Sequence, residues 1–462
     1  PVYSKFAHEN YKFMSKDISI QNGANLNLKG LASKEFEVAN KSLTYALNPD
    51  DFFALVPRML VKEGDFVKKG DPVFFDKNYE NIKIVSPVSG KIKQIVRGEK
   101  RKILNVIIDR SGDDVRNFNI PDIKSISIER IIELLTKSGT LAYIRQRPYN
   151  IIARPNRLPK SIFVSSYDTA PYAADYEFLM SDRLDDLQVG INVLGKIIKK
   201  PINFCVSSVK ESIFNQLKNV DLYNINGNHP AGNESFQINR IDPINSGEVV
   251  WVVKPEDLAN IGSFFKTGQY CSDRTIAISG DSINSSKYFK TTIGSEISSL
   301  FNKKDNLSTL NCRVINGDPL SGSKVDYSGF IGYYNNIISV IEEGNNYRML
   351  GWLPFMYNSV PSFSKTSLSW LLGGEKKVNT NLNGEERAIV VTGEMEKYFP
   401  MDIFPMQLIK ACMRGDIEKM ESLGIYEVIP EDFGLVDFSC TSKIEAQEII
   451  KNGIEIMLKE VG

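Results

Sequence analysis

A chain of 462 residues is too long for a single hydrophobic core and, at about 100–200 residues per domain, points to three or four. Lys plus Arg and Asp plus Glu both number 56, so the formal net charge is zero, which argues against a dedicated nucleic-acid binder. No apolar run approaches the roughly 18–20 residues of a membrane helix, which argues against a spanning segment. Cys205, Cys271, Cys312, Cys412 and Cys440 never reach CxxC spacing. That leaves no disulfide framework, no zinc site and no usual ligand pattern for an iron–sulfur cluster, and it suits a reducing cytosol. His8 and His229 are the only histidines, which nearly excludes histidine-based metal chemistry.

Residues 1–16 read as an N-terminal extension without the apolar core of a secretory signal, the native start lying either just before Pro1 or at Met14. Residues 17–115 read as a β-rich domain. Within it Gly64-Asp65 and Gly70-Asp71 are repeated turn signals flanked by Val61, Phe66, Val67 and Val73, and Pro87 and Gly90 punctuate a similar unit downstream. Paired units of this kind resemble the barrel-sandwich hybrid of biotinyl and lipoyl carrier domains. A carrier needs a lysine on an exposed hairpin between the two units. Lys77 and Lys83 lie in that interval, but neither sits in a recognisable carrier tetrapeptide, so a barrel without a swinging arm is expected.

Residues 116–270 alternate between strand and helix. Ser127 caps a helix to Lys137 with Ile128, Ile131, Ile132 and Leu135 on one face, and Gly139 stops it. Apolar runs at Ile162–Ser165, Asn203–Val206, Leu222–Ile225 and Val249–Val253 read as buried strands. Helical spacing separates them over Asp182–Lys199 and Ser212–Leu217, and a further helix opens at Pro255 and closes at Gly268. This is the pattern of a Rossmann-like parallel sheet with helices on its faces. Residues 271–330, with a strand at Thr275–Asp281, a short helix at Glu296–Phe301 and a strand from Cys312, read as a small unit of β-grasp type. Residues 331–400 read as strand-rich and 401–462 as helical. Helices are expected over Pro405–Arg414 and Asp416–Leu423, and a last one opens on a Ser442/Glu445 capping box. The fold class expected is therefore a multidomain α/β chain with a C-terminal helical region.

Three stretches could carry chemistry. After the first parallel strand, where G-x-G-x-x-G would cradle a pyrophosphate, stands Ser166-Tyr167-Asp168-Thr169-Ala170-Pro171. An acidic residue and a proline replace the glycines, which disfavours flavin or nicotinamide there. Asp168 and Thr169 are candidates to orient a partner loop at the ligand-facing edge of the sheet, or else cap a helix entry. His229, followed by Pro230, Ala231 and Gly232, lies in a loop and could carry a proton, act as an interface donor, or only make local hydrogen bonds. Arg145, Arg147 and Tyr149 form a basic-aromatic cluster. It could meet an anionic partner surface, a lipid headgroup or a quinone ring, or be a domain linker whose arginines pair with nearby carboxylates. No Ser-His-Asp, Cys-His or paired-carboxylate constellation stands out, so no catalytic residue is assigned.

Taken together, Asn22–Gly30, Lys83–Lys91, Arg145–Pro148, Phe163–Asp175, His229–Gly232, Gly351-Trp352, Pro400-Met401-Asp402 with Pro405, and Glu427–Cys440 resemble, in this order, the blocks of the A subunits of sodium-translocating NADH:quinone reductases. The resemblance implies a peripheral subunit on the cytoplasmic face of the bacterial inner membrane. It would work with five other subunits, among them a multi-span membrane protein, in a respiratory complex that passes electrons from NADH to ubiquinone or menaquinone and exports sodium. It further implies a structural, quinone-associated role with no cofactor bound by this chain, the NAD, flavins and iron–sulfur centres belonging to partner subunits. Those family members are in turn similar to the NADH-binding flavoprotein subunit of complex I and its Rnf counterpart. Two departures stand out: Asn233-Glu234-Ser235, where the family pattern has a further glycine and a small polar residue, and Thr441-Ser442-Lys443, where it has proline-glycine. A biotin- or lipoate-type carrier and a soluble flavoenzyme are the competing readings. A mass shift on Lys77 or Lys83 would mark the first, and absorbance near the flavin band the second.

Overall fold

The computed structural model describes residues 16–283, 286–301, 311–344, 361–363, 371 and 374–462. The alternating apolar runs of the middle segment fold into a seven-stranded sheet. Its order is Lys16–Ser19, Val220–Asn226, Ile202–Val206, Ser161–Ser165, Val250–Val252, Arg145–Arg147, Ile151–Ile152. The first five are parallel, and Arg145–Arg147 and Ile151–Ile152 close the edge antiparallel. Strands Ser161–Ser165, Ile202–Val206 and Val250–Val252 are buried at every position, as parallel strands covered on both faces must be.

The helices Leu184–Ile198 and Pro255–Thr267 cover one face and pack unusually closely on each other. A Cβ at Gly262 would stand 1.8 Å from the Asp186 carbonyl oxygen, and one at Gly190 would stand 2.3 Å from that of Leu258. Backbone meets backbone there, which only glycine permits. Two helices end as expected: Ser127 accepts from the Arg130 amide and Gly139 is left-handed after Ile128–Ser138, while Gly268 is left-handed after Pro255–Thr267.

The barrel-sandwich hybrid pairs a four-stranded sheet (Thr44–Leu47, Ile103–Arg110, Gly90–Arg97, Phe66–Val67) with a three-stranded one (Pro57–Met59, Pro72–Asp76, Tyr79–Val85). Its two repeated turns share one device: the Asp65 carboxylate accepts from the Lys62 amide at 2.8 Å and Asp71 from the Lys68 amide at 2.9 Å. Lys77 is exposed in the turn between Pro72–Asp76 and Tyr79–Val85, whereas Lys83 lies inside the second of those strands.

A six-stranded sheet forms the β-grasp unit, in the order Ser323–Val325, Cys312–Asn316, Ile337–Glu342, Asp273–Ser279, Lys287–Thr292, Ser33–Val38. Two strands from the amino-terminal β-rich stretch therefore leave the barrel. Lys16–Ser19 joins the parallel sheet beside Val220–Asn226, and Ser33–Val38 runs parallel to Lys287–Thr292. In the stretch read as strand-rich, Ile337–Glu342 is the regular strand among the described residues; Gly351-Trp352 lies outside them, as do His8 and Met14.

The carboxyl-terminal helices, among them Pro405–Arg414 and Ala446–Glu460, pack Met406, Phe433 and Met457 onto Tyr223, Ile225 and Phe236 of the parallel-sheet domain. The last helix is not opened by the expected capping box. Ser442 gives its hydroxyl to the Ala388 carbonyl, and the Asp437 carboxylate instead accepts from the Ala446 amide at 2.5 Å. Likewise the expected helix at Ser212–Leu217 is a single 3-10 turn, Ile213–Gln216, capped by Ser212.

One buried cation joins two sheets. Arg274, at the start of the β-grasp strand Asp273–Ser279, has no solvent exposure and pairs with Asp257 at 2.6 Å and Glu256 at 3.4 Å, both in the first turn of Pro255–Thr267. Its guanidinium also donates to the Tyr333 carbonyl at 2.8 Å, and Asn336 donates to Glu256 at 2.6 Å. Replacing Arg274 by Met would leave two buried carboxylates without their cation. The variant should lose about 3–5 kcal/mol in urea unfolding, against a loss within about 0.5 kcal/mol for a surface arginine such as Arg97→Met.

Candidate functional site

The sheet sets where a ligand could enter. Loops at the carboxyl ends of Ser161–Ser165, Val220–Asn226 and Val250–Val252 face a cleft of about 580 Å³, walled on its far side by the β-grasp loop Asn316–Ser323 and the carboxyl-terminal segment Ile429–Glu431. That is the ligand-facing edge of an open parallel sheet, and the volume suits a small molecule.

Five of the eight residues singled out from sequence line this cleft: Arg145, Tyr149, Asp168, His229 and Gly232. Thr169, Pro230 and Arg147 are not among its lining residues. Thr169 braces the wall, its hydroxyl accepting from the Gly232 amide at 2.8 Å and lying 3.3 Å from His229 Nδ1. A Cβ at Gly232 would meet the Thr169 amide nitrogen at 2.4 Å, so this close approach needs glycine.

His229 is 4% exposed, its amide donating to Asn25 and its carbonyl accepting from Ala24. Burial lowers its imidazole to about 4, so it stands neutral at physiological pH. With the Thr169 oxygen already accepting from Gly232, the hydroxyl proton is free to point at Nδ1. The imidazole is thus held by local hydrogen bonds.

Arg145 and Arg147 do not sit in a linker. They form the sheet strand Arg145–Arg147, in register with Val250–Val252. Both turn toward Glu234, Arg145 at 3.6 Å and Arg147 at 3.7 Å, and Arg147 is only 2% exposed, so it cannot reach a partner surface. Arg145 also lies over the Tyr334 ring, 5.6 Å from its centroid. Tyr149 stands edge-on to Tyr426.

The cleft has charged residues that the sequence patterns did not pick out: Asp51, Glu234, Lys254 and Asp318. Lys254 caps the Pro255–Thr267 helix, and its ammonium donates to the Tyr334 carbonyl at 3.3 Å. Its position just beyond Val250–Val252, at the carboxyl end of a parallel strand, was a usable signal. Glu234 sits in the first turn of the helix Glu234–Ile241. Although burial alone would raise its carboxyl, Arg145, Arg147 and Lys254 together hold it below the usual range. Asp168 and Asp51 go the other way: desolvation raises Asp168 to about 6 and Asp51 to about 7. Asp51 accepts from the Tyr333 amide at 2.8 Å, and Asp168 from the Ala170 amide at 2.9 Å.

Chemically, the cleft offers aromatic walls (Tyr176, Tyr333, Tyr334), the cationic side chains of Arg145, Lys254 and Lys451, and two carboxyls, Asp51 and Asp168, whose proton affinity desolvation raises. Among the described residues, no group of three or more His, Cys, Asp and Glu is arranged to hold a metal ion.

Family models match three successive stretches. The NqrA N-terminal barrel-sandwich hybrid domain covers residues 18–111, the NqrA second alpha/beta domain 126–270, and the NQRA C-terminal domain 275–326. The A subunit of the Na(+)-translocating NADH-quinone reductase of Neisseria meningitidis serogroup B is 32% identical over 451 residues, 96% of this chain and all of that protein. The same-named protein of Haemophilus influenzae is 31% identical over 448 residues, with 96% and 100% covered. That of Rhodopirellula baltica is 32% identical over 453 residues, with 96% and 98% covered. A chain of a NAD+-reducing [NiFe]-hydrogenase in its H2-reduced state aligns with 73% of this chain and 64% of its own length, at 10% identity and a TM-score of 0.36, a likeness too slight to bear on the fold.

The raised Asp51 carboxyl makes stability depend on pH in a defined direction. The folded chain holds this proton more tightly than the unfolded one, so the stabilisation is complete below about pH 4 and is lost as pH rises toward about 7. Asp51→Asn keeps an acceptor for the Tyr333 amide and removes the titration. Relative to the parent chain it should gain roughly 2–3 kcal/mol on going from pH 5 to pH 8, measured by urea unfolding at both values.

Proposed function

This chain belongs to the family of Na(+)-translocating NADH-quinone reductase A subunits, and we propose that it serves such a complex as a peripheral subunit on the cytoplasmic face of the membrane, associated with quinone and carrying no redox group of its own. The observation that carries this reading is the extent of the relationship, which spans 96% of this chain and the full length of the Neisseria protein. Three physical features support its finer parts.

Among the described residues no helix is long and apolar enough to cross a membrane, which favours attachment through protein partners. Those partners would include the remaining subunits of the complex, a multi-span membrane protein chief among them. At the edge of the parallel sheet, the first loop presents the Asp168 carboxyl and the Thr169–Gly232 contact in place of a glycine cradle. A flavin or dinucleotide phosphate would meet charge of its own sign there, and too few free amides. The same cleft suits a neutral ring bearing carbonyl oxygens, with tyrosine walls to pack against it and the Arg145 and Lys254 side chains as donors. In this reading the subunit shapes a quinone environment, and electrons pass through flavins and iron–sulfur centres held by its partners.

Mass spectrometry of what co-purifies with the chain from mild-detergent extracts of its own membranes tests the assignment. Multi-span proteins together with an NADH-oxidising flavoprotein are expected; recovery of this chain alone from the soluble fraction would overturn it.

A further inference from the structure

The most unusual electrostatic feature of the cleft is a carboxylate where the fold prepares a place for an anionic ligand. The helix Glu234–Ile241 begins at the cleft wall, and its amino-terminal amides carry the partial positive charge that elsewhere holds phosphate. Asn233, at the N-cap, makes no side-chain bond to the helix; its amide group donates to Asp432 at 3.0 Å.

A second, independent observation sits behind this terminus. Arg147 is 2% exposed, and of its guanidinium nitrogens Nη1 donates to Ser235 Oγ at 3.1 Å while Nε and Nη2 have no hydrogen-bond partner. Its Nη2 stands 3.7 Å from Glu234, beyond hydrogen-bond reach. Arg145 approaches the other carboxylate oxygen at 3.6 Å, and Lys254, with a single long bond to Tyr334, adds a third cation nearby. One buried and two half-buried cations, with a helix terminus, thus converge on one carboxylate that neither arginine grips at bonding distance.

We propose that Glu234 is a built-in anion, occupying the position that a phosphate or carboxylate group of a ligand would otherwise take, so that the cleft admits uncharged ligands and turns away anionic ones. The carboxylate neutralises the arginines, which could not stay buried and ionised alone, and it closes the site to nucleotides. Asp168 and Asp432 also face this group of cations, and desolvation raises both to about 6, so they add to the exclusion of anions above that pH. The proposal is independent of whether the neutral ligand is a quinone.

The test is calorimetric titration of the full chain with pyrophosphate at pH 6 and pH 8, for the parent and for Glu234→Gln. The parent should show no saturable binding. Glu234→Gln should bind pyrophosphate at least about tenfold more tightly than the parent, more strongly at pH 6 than at pH 8. Adding Arg147→Gln to it should abolish the gain. Saturable binding of pyrophosphate by the parent, or no gain in Glu234→Gln, overturns the proposal. Should Glu234→Gln fail to fold, pyrophosphate or formate present during refolding should restore it by filling the vacated position; failure of both anions to do so would overturn the proposal equally. A gain that persists when Arg147 is also replaced would refute the assignment of that guanidinium to the anion position.

Discussion

The fold depends on an arginine that water does not reach. Arg274 sits between two acidic side chains at the head of the helix Pro255–Thr267 and a carbonyl of the segment leading to the strand Ile337–Glu342. Glu256 and Asp257 stand in the first turn of that helix, where the helix dipole favours acidic side chains. Their partner comes from another sheet, which converts a local capping arrangement into a long-range tether. Around it, the tyrosines Tyr143, Tyr270 and Tyr333 exchange hydroxyl hydrogen bonds at 2.9 and 3.1 Å, and the Phe52 ring lies 4.8 Å from that of Tyr333. Barrel, parallel sheet and β-grasp unit meet at this junction. The cleft is the space left beside it.

Because the junction is polar and fully enclosed, the groups on its open side inherit a low-dielectric setting. That is the common cause of the opposite displacements in the cleft. Where a carboxyl has no cation at close range, as with Asp51, desolvation dominates and it retains its proton up to neutrality. Where cations crowd a carboxyl, as with Glu234, their field outweighs the same desolvation. Proton affinity in this cleft is thus set by which sheet strand delivers an arginine. The antiparallel strand Arg145–Arg147 delivers two to one spot.

Much of the fold could be read from the chain. Buried strands such as Val250–Val252 announce themselves as unbroken apolar runs. Helices such as Ile128–Ser138 carry their own start and stop in Ser127 and Gly139. What local pattern cannot carry is the identity of a distant partner. Lys16–Ser19 and Ser33–Val38 look like neighbours of the barrel strands that follow them, yet their hydrogen bonds go to residues some 200 and 250 positions away. The site was legible in the same partial way. Loops at strand ends pointed to Asp168, His229 and Gly232, whereas Asp51 owes its character to desolvation beneath a segment some 280 residues away, whose Tyr333 amide it accepts from, and nothing near Asp51 in the sequence foretells that. Arg145–Arg147 could be read as a linker because two arginines in three residues look solvated; the partner that allows their burial lies almost ninety residues later.

That partner, Glu234, is the middle residue of the stretch Asn233-Glu234-Ser235. Each of the three side chains is engaged: Asn233 with Asp432, Glu234 with the two arginines, Ser235 with Arg147. Glycine at position 234 would supply no carboxylate and glycine at position 235 no hydroxyl, and the arginines would need another counter-charge. The stretch is therefore a set of mutually dependent contacts on the cleft wall. The charge a cleft presents to a ligand is a property of individual side chains, and on this wall it is set by Glu234 together with the arginines it faces.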